Sequence, residues 1–83
     1  MLKYPYYIVV YFDSGVLKKL FHDTKFKSFT DAVNAMTFRV KRFPNFMKDN
    51  QVMILEYTMT YQGRITTIYN YGETVFVNNP INF

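Results

Sequence analysis

The sequence predicts an α+β fold, a two-layer sandwich in which one helix packs on an antiparallel sheet, with the element order ββαβββ. Three observations carry that expectation. Only one segment, 29–43, repeats its apolar residues at helical spacing. The segments on either side are β-branched, aromatic or alternating, as strands are. Short turn signals separate neighbouring strand segments, and short turns join antiparallel strands.

Residues 4–12 (YPYYIVVYF) open the chain as a strand that is apolar on both faces. Asp13, Ser14 and Gly15 form a turn signal, and residues 16–22 (VLKKLFH) return as the second strand of a hairpin. A polar connection, 23–27, leads to Ser28, a good helix N-cap, with Asp31 three residues on to favour the positive end of the helix dipole. Phe29, Ala32, Val33, Met36, Val40 and Phe43 then fall in one stripe of a helix over 29–43. Arg39, Lys41 and Arg42 suit its C-terminal end, and Pro44 stops it.

Residues 45–50 read as a loop with Phe46 and Met47 tucked beneath it. Residues 51–61 alternate: Met53, Leu55, Tyr57, Met59 and Tyr61 share one face, and Ile54, Glu56, Thr58 and Thr60 the other. Gln62–Gly63 reads as a hairpin turn, 64–70 as the return strand, Tyr71–Gly72 as a second turn and 74–77 as a short last strand. Two-residue loops at both turns place Tyr57, Ile68 and Val75 side by side. Residues 1–77 are expected to form a single domain, and 78–83, with Pro80 and three asparagines, a C-terminal tail. The expected core sets the helix stripe against Leu55, Tyr57, Met59, Ile68 and Val75, joined by Ile8, Val10 and Phe12. Tyr7, Val9, Tyr11, Ile54, Ile65, Tyr69 and Phe76 are then expected on the outer face.

Composition bounds what such a domain does. Eighty-three residues bury only about 60–65% of the unfolded surface, and with no cysteine the hydrophobic core alone holds the fold. The absence of cysteine suits a reducing compartment, and the apolar run 6–12 is too short to span a bilayer, so a cytoplasmic protein without membrane contact is expected. Phe, Tyr, Met, Ile, Asn and Lys, whose codons are AT-rich, make up 41 residues, while Gly, Ala, Arg and Pro make 11. That imbalance points to an AT-rich gene of the kind common among phages and mobile elements. The net charge of +4 is uneven: residues 1–48 hold nine Lys and Arg against three Asp, and residues 49–83 hold Arg64 against Asp49, Glu56 and Glu73. A basic half suits an acidic partner, although scattered lysines are also ordinary on a soluble surface.

The catalytic inventory is thin. There is one His, no Cys, two Ser and six carboxylates, most of them in turns, caps and connections where Asp and Ser serve the backbone. A Ser-His-Asp set would have to recruit His22, and nothing places a serine and a carboxylate with it. A metal site normally takes three or four ligands, so His22–Asp23 is too little. No glycine-rich loop cradles a phosphate. Neither an enzyme nor a metal or cofactor site is expected.

Two surfaces are harder to explain as plain scaffold. Phe38 lies opposite the apolar stripe, with Asn34, Lys41 and Arg42 around it, and an exposed aromatic ringed by cations has the composition of an interface hot spot. Single exposed apolar residues are also normal. The outer sheet face, with Tyr7, Tyr11 and Tyr69, suits a second copy of the chain, another protein or stacked single-stranded nucleic acid. A third group, Lys18, Lys19, Lys25, Lys27 and Arg39, is the candidate nucleic-acid contact. The expectation is a non-enzymatic protein-binding module, read as a phage or mobile-element accessory protein that binds and inhibits or redirects a host factor in the host cytoplasm: a defence nuclease, a toxin or the transcription machinery. The alternatives are a nucleic-acid-binding protein using the basic half, and an assembly subunit that forms a homodimer through the outer sheet face.

Overall fold

A computed structural model describes residues 3–44, 50–70 and 73–82. The elements are β1 (Tyr6–Asp13), β2 (Val16–Lys19), α1 (Phe29–Arg42), β3 (Val52–Tyr57), β4 (Gln62–Asn70) and β5 (Glu73–Asn82). All strand pairs are antiparallel, in the spatial order β2-β1-β3-β4-β5, and α1 packs on one face. The expected two-layer α+β architecture is the one observed.

Local chemistry explains the first half. Ser14 and Gly15 both have positive φ (53° and 81°), the backbone twist that a tight hairpin needs, and Asp13 pairs with Val16 across it. β2 ends at Lys19, three residues before the expected Phe21–His22 end; a turn follows, with His22 at φ 55°. Phe26 then returns to β1, where its backbone N–H and C=O each bond Tyr7 at 2.8 Å. That bridge sets where α1 starts. The Ser28 hydroxyl accepts the Asp31 N–H at 3.0 Å, and Asp31 lies in the positive first turn.

The helix buries Ala32, Met36 and Val40, with Phe29 and Val33 beside them. Phe43, expected in the same stripe, is instead the C-cap and lies exposed. Beneath α1 lie Tyr7, Val9, Leu20, Val52 and Ile54, flanked by Tyr11 and Tyr69. This reverses the expected sheet faces. Six residues assigned to the helix side (Ile8, Val10, Phe12, Leu55, Tyr57 and Ile68) point away from it, joining Tyr6, Met53, Leu17 and Ile65 in a second apolar cluster. Cross-strand pairing fixes this: Tyr7 faces Glu56, Val9 faces Ile54 and Tyr11 faces Val52, while Tyr6, Ile8 and Val10 face Tyr57, Leu55 and Met53.

The β3–β4 turn also differs. β3 ends at Tyr57, and residues 58–61 make the turn, where the Thr58 hydroxyl accepts the N–H groups of Thr60 and Tyr61 at 3.2 and 2.9 Å. Met59, expected in the core, sits in that turn 85% exposed. Gly63 lies inside β4 with φ 94°, and a Cβ there would stand 3.2 Å from the Tyr57 hydroxyl. The glycine serves a close ring approach rather than a turn. The register brings Met53, not Tyr57, beside Ile68, which pairs with Val75 as expected. A shift between Ile54 and Leu55 makes Thr66 the extra residue of β4, so Ile65 and Ile68 share the face away from the helix. β5 runs on to Asn82, past the expected end at Val77; Pro80 is tolerated because β5 is an edge strand. The loop carrying Phe46 and Met47 and the Tyr71–Gly72 turn lie outside the described residues.

Candidate partner-binding groove on the helix

α1 presents its solvent side at Asn34, Ala35, Phe38, Arg39 and Arg42, spaced so that one turn stacks on the next. These five, with Phe21 from the turn after β2 and Phe43 at the helix end, line a groove of about 580 Å³. Phe38 is 66% exposed and Phe43 46% exposed, high values for rings in so small a domain. The Arg39 guanidinium lies 4.9 Å from the Phe21 ring centre and 5.6 Å from that of Phe43, and Arg42 lies 5.8 Å from Phe43. Such contacts contribute about 0.5–1 kcal/mol each at exposed sites. Neither arginine has an ion-pair partner among the described residues. No carboxylate of the described residues lines the groove.

The groove joins Phe38, Asn34 and Arg42, three of the residues the helix pattern singles out. It also takes in Arg39, assigned above to nucleic acid. Lys41 is exposed on α1 but does not line it. Phe21 and Phe43 were missed for local reasons. One was read as strand and the other as core, and only the end of β2 at Lys19 and the cap at Phe43 turn them toward solvent.

Tyr7, Tyr11 and Tyr69 are not on an outer face. Tyr7 belongs to the buried cluster under α1, and Tyr11 and Tyr69, half-buried, pack against it on the helix side of the sheet. On the opposite face, the described tyrosines are stacked on one another. The Tyr6 and Tyr57 rings stack in parallel at 4.9 Å, Tyr4 lies 5.7 Å from Tyr6, and Lys25 caps Tyr6 at 5.8 Å. Burial raises the pKa of the Tyr6 hydroxyl, with smaller contributions from Tyr4 and Tyr57.

The basic residues 18–27 are divided. Lys18 bonds Asp13 at 2.8 Å, which holds the Asp13 carboxyl below its usual range and raises Lys18. Lys19 lies 3.7 Å from Asp23. Lys18 stands opposite Tyr11, whereas Lys25 and Lys27 flank Phe26, opposite Tyr7; four strand residues separate these points, about 13 Å. Lys18 and the Lys25–Lys27 pair thus stand at different points along β1.

A polar network that the sequence hides lies under the helix edge. Tyr7 donates to Glu56 Oε2 at 3.0 Å, and Arg64 donates to Oε1 from Nε at 3.1 Å and pairs with it through its second nitrogen. Burial raises the Tyr7 pKa first, then the bond to Glu56 and its charge. Arg64 also covers the Tyr61 ring at 4.3 Å. Both carboxylate oxygens of Glu56 are engaged, so the network ties β1, β3 and β4 together rather than offering a free base.

Among the described residues, no three His, Cys, Asp or Glu side chains cluster as metal ligands would, and no helix is long and apolar enough to cross a membrane. No protein-family model matches the chain, and neither the curated proteins nor the solved structures include a match to it.

Proposed function

We propose that this chain is a small non-enzymatic protein-binding module whose contact surface is the α1 groove. One observation carries the reading: Phe38 and Phe43 are exposed beside two arginines that have no ion-pair partner among the described residues, in a concave site. A large ring left in water on a helix with a full core stripe on its other side adds nothing to packing. In an interface it supplies the desolvated anchor from which a few residues draw most of the binding energy. The finer reading is an accessory protein acting in the cytoplasm of a host cell, where it blocks or redirects the protein it binds. It rests on the AT-rich residue usage.

Nucleic acid is the weaker partner. Lys18 and Lys19 are already paired with aspartates, and the Tyr6 ring is stacked and capped. Phosphate-driven binding would weaken steeply between low and physiological salt. A homodimer through Tyr7, Tyr11 and Tyr69 is less favoured, because Tyr7 is buried under α1 and Tyr11 and Tyr69 are half-buried beside it.

The test is site-specific photo-crosslinking in the cells that express the chain. A benzophenone side chain replaces Phe38 in one variant and Met59, in the β3–β4 turn, in another. The expected result is a discrete protein adduct from position 38 alone. No adduct at 38, or the same adducts from both positions, removes the groove as the contact surface. With the partner in hand, Phe38→Ala is expected to weaken binding roughly thirtyfold, the loss of about 2 kcal/mol.

A further inference from the structure

We infer that the segment entering the α1 groove is acidic, with one bulky apolar side chain flanked by carboxylates. This rests on the groove being the contact surface. The argument is charge complementarity at close quarters. Lys18, Lys19 and Arg64 each have a carboxylate of this chain within 4 Å, whereas the two arginines in the groove have none among the described residues. Arg39 and Arg42 have instead been given aromatic partners, and the two classes of partner do different things to a guanidinium.

A ring beside a guanidinium accepts no hydrogen bond from it and leaves its N–H donors for a partner. Arg39 has rings on it from both Phe21 and Phe43. Held this way it keeps its fork of donors in a fixed orientation, so less side-chain entropy is lost when a carboxylate docks. An apolar floor next to that fork raises the value of the contact, because the ion pair forms where water is partly excluded. Phe21, Ala35, Phe38 and Phe43 provide that floor and leave room for one large side chain.

A neutral apolar segment fits the site less well. It would cover Arg39 and Arg42 without satisfying their donors, and covering an unpaired cation is costly. A basic segment would meet both arginines head-on. A phosphate backbone would satisfy the arginines and leave the rings of Phe38 and Phe43 without an apolar partner. Only a segment carrying both chemistries uses every part of the groove.

The experiment is an array of short random-sequence peptides probed with the intact chain, with Phe38→Ala and with the Arg39→Gln/Arg42→Gln double variant, each confirmed folded by circular dichroism. The wild type is expected to enrich Asp and Glu around Leu, Ile, Met or Phe. The arginine variant is expected to lose the acidic enrichment while keeping the apolar one, and Phe38→Ala to lose both. In solution, replacing the acids of a selected peptide by their amides is expected to weaken binding at least tenfold, with a matching drop as salt is raised. Peptides that depend on Phe38 but show no acidic enrichment would overturn the acidic assignment and leave the binding reading in place. No Phe38-dependent peptide at all would remove the binding reading itself. Tighter binding of a single-stranded oligonucleotide than of any peptide, lost in the arginine variant, would reassign the groove to nucleic acid.

Discussion

Met36 and Phe38 are two residues apart on α1, which turns them about 200° from one another. Met36 is 0% exposed and packed among Val9, Ala32 and Ile54, whereas Phe38 faces solvent. Truncating each to alanine separates scaffold from contact surface. Met36→Ala removes a buried thioether side chain and leaves a cavity, at a cost of about 2–5 kcal/mol. A domain of this length has a total stability of about 4–12 kcal/mol, so that loss takes between a sixth and all of it. Phe38→Ala removes no buried packing, and alanine is the better helix former by some tenths of a kcal/mol, so stability should stay within about 0.5 kcal/mol of wild type or rise slightly. Urea denaturation followed by far-ultraviolet circular dichroism measures both, with the slope m held as a check that the unfolding reaction is unchanged. A loss above about 1 kcal/mol for Phe38→Ala would refute the reasoning, because the ring would then be packed and the groove would not be open. A neutral Met36→Ala would refute the orientation of the helix.

Two further outcomes follow from buried polar atoms. Thr67 is fully buried between Ile54 and Phe76 in the sheet, and its hydroxyl has no hydrogen-bond partner among the described residues, so Thr67→Val should raise the urea midpoint by the equivalent of about 1 kcal/mol; a lower midpoint would mean that the hydroxyl has a partner. Tyr7 and Tyr6 have folded pKa values raised above that of the unfolded chain, so between the two values the folded state holds protons that the unfolded state has lost. Their contribution is therefore complete below about pH 10 and is lost as pH rises through the folded values. Alkaline titration of stability should show that decline, and Tyr7→Phe should make it shallower; an unchanged slope would show that Tyr7 does not take part.

Sequence reasoning reached the element order, the first hairpin, the Ser28 cap and the helix stripe because each is set by neighbours in the chain. It missed the sheet faces because β1 is apolar on both sides, so alternation says nothing about which side meets α1. In β3 the polar residues Thr58 and Thr60 were counted as marking an outer face, but both lie beyond the strand end and belong to the turn. Glu56 was counted the same way, although Tyr7 and Arg64 allow it to sit on the helix side. Gly63 was read as a turn because the ring that needs its missing Cβ comes from the neighbouring strand. In the groove, Phe38 was legible from the helix wheel alone. Phe21 and Phe43 were not, since their exposure depends on where two elements end.

The placement of Glu56 bears on how the strands find their alignment. Sliding β1 by one residue past β3, so that Ile8 comes opposite Glu56, would exchange Tyr7, Val9 and Tyr11 for Ile8, Val10 and Phe12 and change the apolar area buried very little. In most half-buried sheets such a slip turns the hydrophobic set toward water and is rejected for that reason. Here the rejection falls to one charge: slipped by one place, Glu56 would lose the Tyr7 hydroxyl and leave a partly buried carboxylate less well compensated. Replacing it by an apolar residue, as in Glu56→Leu, should therefore cost less in stability than in uniqueness, and doubled amide resonances along β1 would be its signature. A single set of resonances would mean that the Ser14–Gly15 turn sets the alignment unaided. The acid at position 56 thus acts as a key for strand order in a sheet that hydrophobicity alone would allow to assemble in two frames.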